Sequence, residues 1–131
     1  MAKNAVVLLN LGGPDSLDAV QPFLYNLFCD PDIFKIPFGQ KFLAGLISKR
    51  RSPRIVEQYR QIGGKSPINE WTETQRQMLA KTLADRGVEA DVYTAMRYWK
   101  PLTSETAEII RQKNYQNIIL LPLYPHFSVS T

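Results

Sequence analysis

The sequence contains one cysteine and one histidine. A single thiol cannot close an internal disulfide, and Cys29 with His126 cannot supply the four ligands of a structural zinc site. Cytosolic chemistry without a resident metal is therefore the expectation. Long apolar runs are also lacking. The run nearest the start, Ala5-Val6-Val7-Leu8-Leu9, is too short to span a bilayer and lacks a cleavage pattern, so no secretory signal peptide is read. There is no internal repeat and no low-complexity segment. The G-x-G-x-x-G spacing is absent. Gly63-Gly64-Lys65-Ser66 imitates the end of a phosphate-binding loop, but that motif's first glycine would fall at Tyr59 and no strand precedes it. Neither a dinucleotide fold of the usual kind nor nucleotide hydrolysis is expected, and no nucleic-acid partner is read.

The chain has 131 residues, enough for one ordinary domain, with 44% apolar and 21% charged residues, enough to bury a core. The net charge of +4 permits an anionic partner or a membrane surface without choosing between them. Its distribution says more. Residues 41 to 65 hold seven cations, Lys41, Lys49, Arg50, Arg51, Arg54, Arg60 and Lys65, against Glu57 alone, a net +6 that leaves −2 for the remainder.

Three apolar, partly β-branched runs read as strands: 5–11, 88–96 and 117–121. The first and third are nearly continuous in apolar residues, as expected of strands buried on both faces of a parallel sheet. Helical patterns alternate with them. Val20, Phe23, Leu24, Leu27 and Phe28 form one stripe, with Asp18 and Gln21 as a capping pair and Pro22 near the start. Residues 68–86 carry Ile68, Trp71, Met78, Leu79 and Leu83, broken by Gln75 and closed by Gly87. Residues 103–113 form a third helix with Glu105 in the first turn. The alternation predicts an α/β domain with an open, mostly parallel sheet, flanking helices and right-handed crossovers. The segment 30–60 interrupts this pattern. It joins Ile33, Phe34, Ile36, Phe38, Phe42, Leu43, Leu46 and Ile47 to the basic cluster, which suits an interfacial membrane segment or a pocket for an apolar molecule bearing carboxylates. An αα extension with solvated charges is the plainer reading, and the concentration of charge weighs against it.

Strand ends bear ligands in open α/β sheets. Asn10-Leu11-Gly12-Gly13-Pro14, Met96-Arg97-Tyr98-Trp99 and Leu123-Tyr124-Pro125-His126-Phe127-Ser128 follow the three strands and should share one sheet edge. They would form an aromatic wall with few polar handles. His126 stands out by position, although a lone histidine there is more often a hydrogen-bonded structural residue than a catalyst. Cys29 reads as a buried inert thiol.

Together, Leu8-Leu9-Asn10-Leu11-Gly12-Gly13-Pro14, Lys49-Arg50-Arg51-Ser52-Pro53, Glu57-Gln58-Tyr59-Arg60-Gln61-Ile62-Gly63-Gly64-Lys65-Ser66-Pro67-Ile68, Met96-Arg97-Tyr98 and Leu123-Tyr124-Pro125-His126-Phe127-Ser128 resemble the ferrochelatase family, in family order. The resemblance implies a chelatase-like fold of two similar α/β domains with a porphyrin cleft between them. Residues 1–131 would be the amino-terminal domain, incomplete and including the 30–60 lip, with the second domain absent. The implied activity is that of a lyase of haem biosynthesis inserting Fe²⁺ into protoporphyrin IX to give protohaem.

By the same resemblance Arg51, Tyr59 and Ser66 would hold propionate groups, Leu11 would lie against the macrocycle, and Arg97 and Tyr98 would line the cleft. No catalytic or metal-binding residue is assigned to this chain. The family's principal histidine and glutamate lie in the second half, so the chain alone is expected to be inactive. Ferrous iron and protoporphyrin IX would be substrates rather than resident cofactors. Val129 replaces a ligand of the iron–sulfur cluster found in some members, so no such cluster is expected. Residues 33–47 would make peripheral contact with the inner face of a membrane in a cytoplasmic protein. His126 receives no family role. A non-enzymatic porphyrin-binding α/β module and a membrane-surface adaptor are the other classes that fit these residues.

Overall fold

In a computed structural model, which describes residues 3–125, the chain divides into two compact units, residues 3–12 with 68–124 and residues 13–67. The first unit holds a three-stranded, wholly parallel sheet of order β2-β1-β3, with β1 Asn4–Asn10, β2 Ala90–Met96 and β3 Asn117–Pro122. Ala5, Val6, Val7 and Leu8 are all buried, because β1 is paired on both sides and covered on both faces. Ala5 and Val7 pack with Ala95 and Ile110, while Val6 and Leu8 pack with Val92, Leu79 and Leu83. The strand's period of two thus divides one apolar run between two helices.

The helices of this unit are α3, Ile68–Asp85, and α4, Thr103–Gln112. Gly87 closes α3 at φ 72°, where Val88 N–H reaches Leu83 O at 2.9 Å. Leu102 N–H donates to the Glu105 carboxylate at 2.8 Å and caps α4. The buried face of α3 differs from the expected one. Thr72 is 1% exposed, whereas Trp71 and Met78 are 67% and 65% exposed. The stripe that faces the sheet is rotated onto Ile68, Thr72, Leu79 and Leu83, because a hydrogen-bonded threonine takes the place where an apolar residue was expected.

β3 departs from expectation more sharply. All six of its residues are exposed, with Ile118 at 55% and Leu120 at 60%. α4 packs on β2, and α3 on β2 and β1, so among the described residues no helix covers the apolar β3. The two sheet edges differ chemically. On β2 the carbonyl of Val92 accepts from Arg76 Nη1 (3.2 Å), that of Thr94 from Thr106 Oγ1 (2.8 Å) and that of Met96 from Thr103 Oγ1 (3.0 Å). These caps blunt one edge, and among the described residues β3 has no equivalent.

The second unit pairs α1, Val20–Phe28, with α2, Gln40–Gln61. The stripe of α1 is as expected, with Val20, Leu24 and Phe28 buried. Each such side chain contributes roughly 1.5–3 kcal/mol by burial. The expected Asp18–Gln21 capping pair does not form: Ala19 is the N-cap, and its N–H donates to Ser16 Oγ at 3.2 Å. Cys29 is half-buried rather than buried, lying at the edge of the α1–α2 cluster. α2 spans 22 residues and absorbs most of the segment that broke the alternation. Its buried positions are Ala44, Ser48 and Ser52, a stripe of small residues that lets the helices approach closely. Ser48 and Ser52 return their hydroxyl protons to Gly45 O and Lys49 O, at 3.0 and 3.3 Å. Gln40 fastens the preceding loop by donating to Phe28 O and Phe34 O at 2.7 and 2.8 Å.

An uncapped apolar edge should recruit another strand. Sizing the chain over a hundredfold concentration range should show self-association, and Ile119→Lys should shift it toward monomer; elution independent of concentration would remove this expectation.

Candidate functional site

The parallel ladder carries three of the expected site residues past the strand ends. Arg97 N–H donates to Asn10 O and Tyr98 N–H to Leu11 O, each at 3.0 Å, while Leu123 N–H donates to Leu9 O at 2.8 Å. Leu11, Arg97 and Tyr98 therefore stand at one edge of the sheet, as strand order and direction require. Gly12 adopts φ 79°, and a Cβ there would lie 3.1 Å from Met96 Cβ and 3.4 Å from Trp99 Cβ. Only glycine fits a turn so tightly packed. Tyr98 is 3% exposed, with the Arg97 guanidinium 5.5 Å from its ring centre. The indole Nε1 of Trp99 is buried without a partner among the described residues.

Arg51, Tyr59 and Ser66 belong to the other unit. Arg51 and Tyr59 are both on α2. The Arg51 guanidinium lies 5.6 Å from the centre of the Phe28 ring, and no ion pair holds it among the described residues. It lines a recess of about 340 Å³ with Arg54, Ile55 and Gln58. A second recess, of about 410 Å³, is formed by Phe23, Leu24, Ile55, Gln58, Tyr59 and Ile62. The two share Ile55 and Gln58, so a cationic pocket adjoins an apolar one that includes Tyr59. That pairing matches an apolar ligand with carboxylates. Arg54 was legible only as part of a basic cluster and Gln58 only within the Glu57–Ile68 motif, and it is the helical turn that brings them beside Arg51.

Gly63 and Gly64, at φ 98° and 81°, end α2, and Gly64 N–H reaches back to Tyr59 O at 2.7 Å. Two successive left-handed residues turn the chain so that half-buried Ser66 donates its N–H to Pro14 O at 2.8 Å. His126, Phe127 and Val129 lie outside the described residues. Sequence reasoning also missed Asn10 and Thr72, whose side chains hydrogen-bond at 3.1 Å behind the Leu11 turn. A polar residue in the apolar stripe of α3 was the available signal.

At the opposite end of the sheet, Tyr115 donates to the Asp91 carboxylate and shares a 2.5 Å hydrogen bond with Tyr93. Burial first, then the bonds to Asp91 and Tyr93, hold the Tyr115 phenol well above its ordinary value near 10.

A parallel α/β protein with glycine-turned loops at its strand ends and, in a separate unit, a long basic helix is the class these features define. The family model described as ferrochelatase matches residues 3–131. The chain belongs to the ferrochelatase family. It is 50% identical over 133 residues to the ferrochelatases of Trichormus variabilis and Nostoc punctiforme, covering 100% of this chain and 34% of each of those proteins. It is 51% identical over 134 residues to the chloroplastic ferrochelatase-2 of Arabidopsis thaliana, covering 99% of this chain and 26% of that protein. The chain thus spans about a third of the length of its bacterial relatives.

The raised phenol of Tyr115 gives a pH prediction. Its contribution to stability is complete below pH about 10 and is lost as pH rises toward the folded-state value. Urea midpoints measured from pH 8 to 11.5 should fall more steeply for the wild type than for Tyr115→Phe; parallel curves would contradict this assignment.

Proposed function

We propose that the chain is the porphyrin-binding part of an enzyme that inserts Fe²⁺ into protoporphyrin IX to form protohaem. The observation that carries this reading is the ferrochelatase-family match over residues 3–131, which includes the basic helix α2 and its Arg51 recess. In the reaction two pyrrole protons leave as Fe²⁺ takes their place, so charge balances without any change of oxidation state. Three kinds of group are required: anchors for the propionates, an apolar surface that fixes and bends the macrocycle, and a base for the protons.

This chain supplies the first two. Arg51 offers a two-pronged guanidinium to a carboxylate, and its stacking on Phe28 limits the rotamer entropy lost on binding. Tyr59 and Ser66 complete the propionate shell with hydroxyl groups. Leu11 presses on the macrocycle face beside Arg97 and Tyr98. The base is not assigned to any residue of this chain, which is why the chain alone is inactive in this reading. No resident iron–sulfur cluster is included, since valine at position 129 cannot ligate iron.

Access of a lipid-soluble substrate is the role proposed for residues 33–47. Phe38, Phe42 and Leu46 are 89%, 76% and 56% exposed, and Phe42 and Leu46, one helical turn apart, are followed on the same face by Lys49 and Arg50. Such a face suits the interface of an anionic membrane, with the cations at headgroup level. The proposed setting is cytoplasmic, peripheral to the inner membrane face. No helix of the described residues is long and apolar enough to cross a membrane.

Two measurements test this reading. In the full-length enzyme, Arg51→Leu and Tyr59→Phe should raise the Michaelis constant for protoporphyrin roughly tenfold and threefold, in line with losing a charged and a neutral hydrogen bond; unaltered constants in both would refute the propionate assignment. Replacing Phe34, Phe38 and Phe42 together with Ser should abolish sedimentation with anionic liposomes, and undiminished binding would exclude the lip as the membrane contact.

A further inference from the structure

Asn10 ends β1, and both ends of its side chain are engaged. Oδ1 accepts from Leu11 N–H at 2.9 Å, and Nδ2 donates to Thr72 Oγ1 at 3.1 Å. Thr72 is 1% exposed and donates its own proton to Ile68 O at 2.7 Å. A hydroxyl has one proton to give, so the Thr72 oxygen can meet Asn10 only as an acceptor. That fixes the orientation of the Asn10 amide. Turned over, the amide would set its oxygen against an oxygen whose proton is committed, and its NH₂ against the Leu11 N–H. The result is a one-way chain of donors, from Asn10 through Thr72 to the first turn of α3, with Leu11 N–H held at its far end. The backbone carbonyls of Asn10 and Leu11 in turn receive Arg97 N–H and Tyr98 N–H.

We infer that Thr72 is a positioning residue: through Asn10 it fixes the Leu11 turn, and with it the Arg97–Tyr98 segment, in the geometry that meets the substrate. Thr72 does not touch substrate. Its burial on α3 gives the loop a rigid reference, which the left-handed Gly12 that follows cannot provide. An apolar residue of the same shape would pack as well on the sheet and leave Asn10 Nδ2 without an acceptor. The inference rests on the porphyrin-binding reading, since the turn matters only if Leu11 meets a ligand.

The test compares Thr72→Val, which keeps the shape and loses the oxygen, with Thr72→Ser, which keeps the oxygen. Binding of protoporphyrin IX to the chain is followed by fluorescence quenching, and amide hydrogen exchange is recorded on the same samples. Thr72→Val should weaken binding about tenfold, the loss expected for one buried hydrogen bond, and speed exchange at Leu11 and Tyr98 while Val7 and Ala95 stay protected. Thr72→Ser should remain within about twofold of the wild type in both readouts. A general loss of packing would speed exchange throughout the sheet and would not be rescued by serine, so that pattern overturns the inference, as does wild-type affinity in Thr72→Val. Should Thr72→Val fail to fold, Asn10→Asp is the second variant. It retains the acceptor for Leu11 but sets oxygen against oxygen at Thr72, and binding as tight as the wild type's would count against the coupling. A wild-type chain that does not bind protoporphyrin IX would refute the porphyrin reading, and the Leu11 exchange rates would still decide whether Thr72 holds the turn.

Discussion

β1 is the member on which the sheet depends. Among the described residues it is the only strand paired on both sides and packed on both faces, so four successive residues, Ala5 to Leu8, leave water completely or nearly so. Its hydrogen-bond ladder does not stop with the strand. The bonds from Arg97 to Asn10 and from Tyr98 to Leu11 continue the same parallel spacing into the loops. The placement of the candidate site residues in this unit is therefore the register of the sheet carried one step further. Gly12 ends that continuation where Met96 and Trp99 leave no room for a side chain.

The α1–α2 unit follows a different logic. The fully buried positions of α2 are the small residues Ala44, Ser48 and Ser52, with the larger Ile47, Ile55, Val56 and Tyr59 only partly buried beside them against Val20, Leu24 and Phe28 of α1. The other face of α2 is exposed, with Phe42 and Leu46 toward one end and Lys49, Arg50, Arg51 and Arg54 following them. A cation such as Arg51, stacked on Phe28 and without a carboxylate partner among the described residues, bears little of the desolvation cost that a buried ion pair would. It stays available to an anion. Unfilled apolar surface and unneutralised charge on one helix are poor choices for stability alone, and they are what a ligand or membrane surface would use.

The parts of this fold that could be read in advance are those where local pattern and tertiary environment agree. The three strands, the stripe of α1, the glycine end of α3 and the acidic first turn of α4 were all legible, because period and capping chemistry act within a few residues. The long helix α2 was hidden by inversion: its serines face inward, satisfied by its own carbonyls, while its Phe42 and Leu46 face water. Thr72 deceived in the same way on α3. β3 was misread for another reason. Apolar composition reports what a strand can tolerate, and whether anything covers it depends on where distant helices pack.

What the sequence alone determined is the chemical inventory and its order along the chain: parallel α/β alternation, strand-end loops, a basic segment beside an apolar one, and motifs specific enough to indicate the ferrochelatase family. These follow from short-range regularities that survive in one dimension. The tertiary structure decided which face of α2 is free, which edge of the sheet is capped, and how Asn10 is oriented behind Leu11. Each of these depends on contacts between residues far apart in the chain, such as Asn10 with Thr72, and a hydrogen bond whose direction is set by a third group cannot be read from the residues that make it.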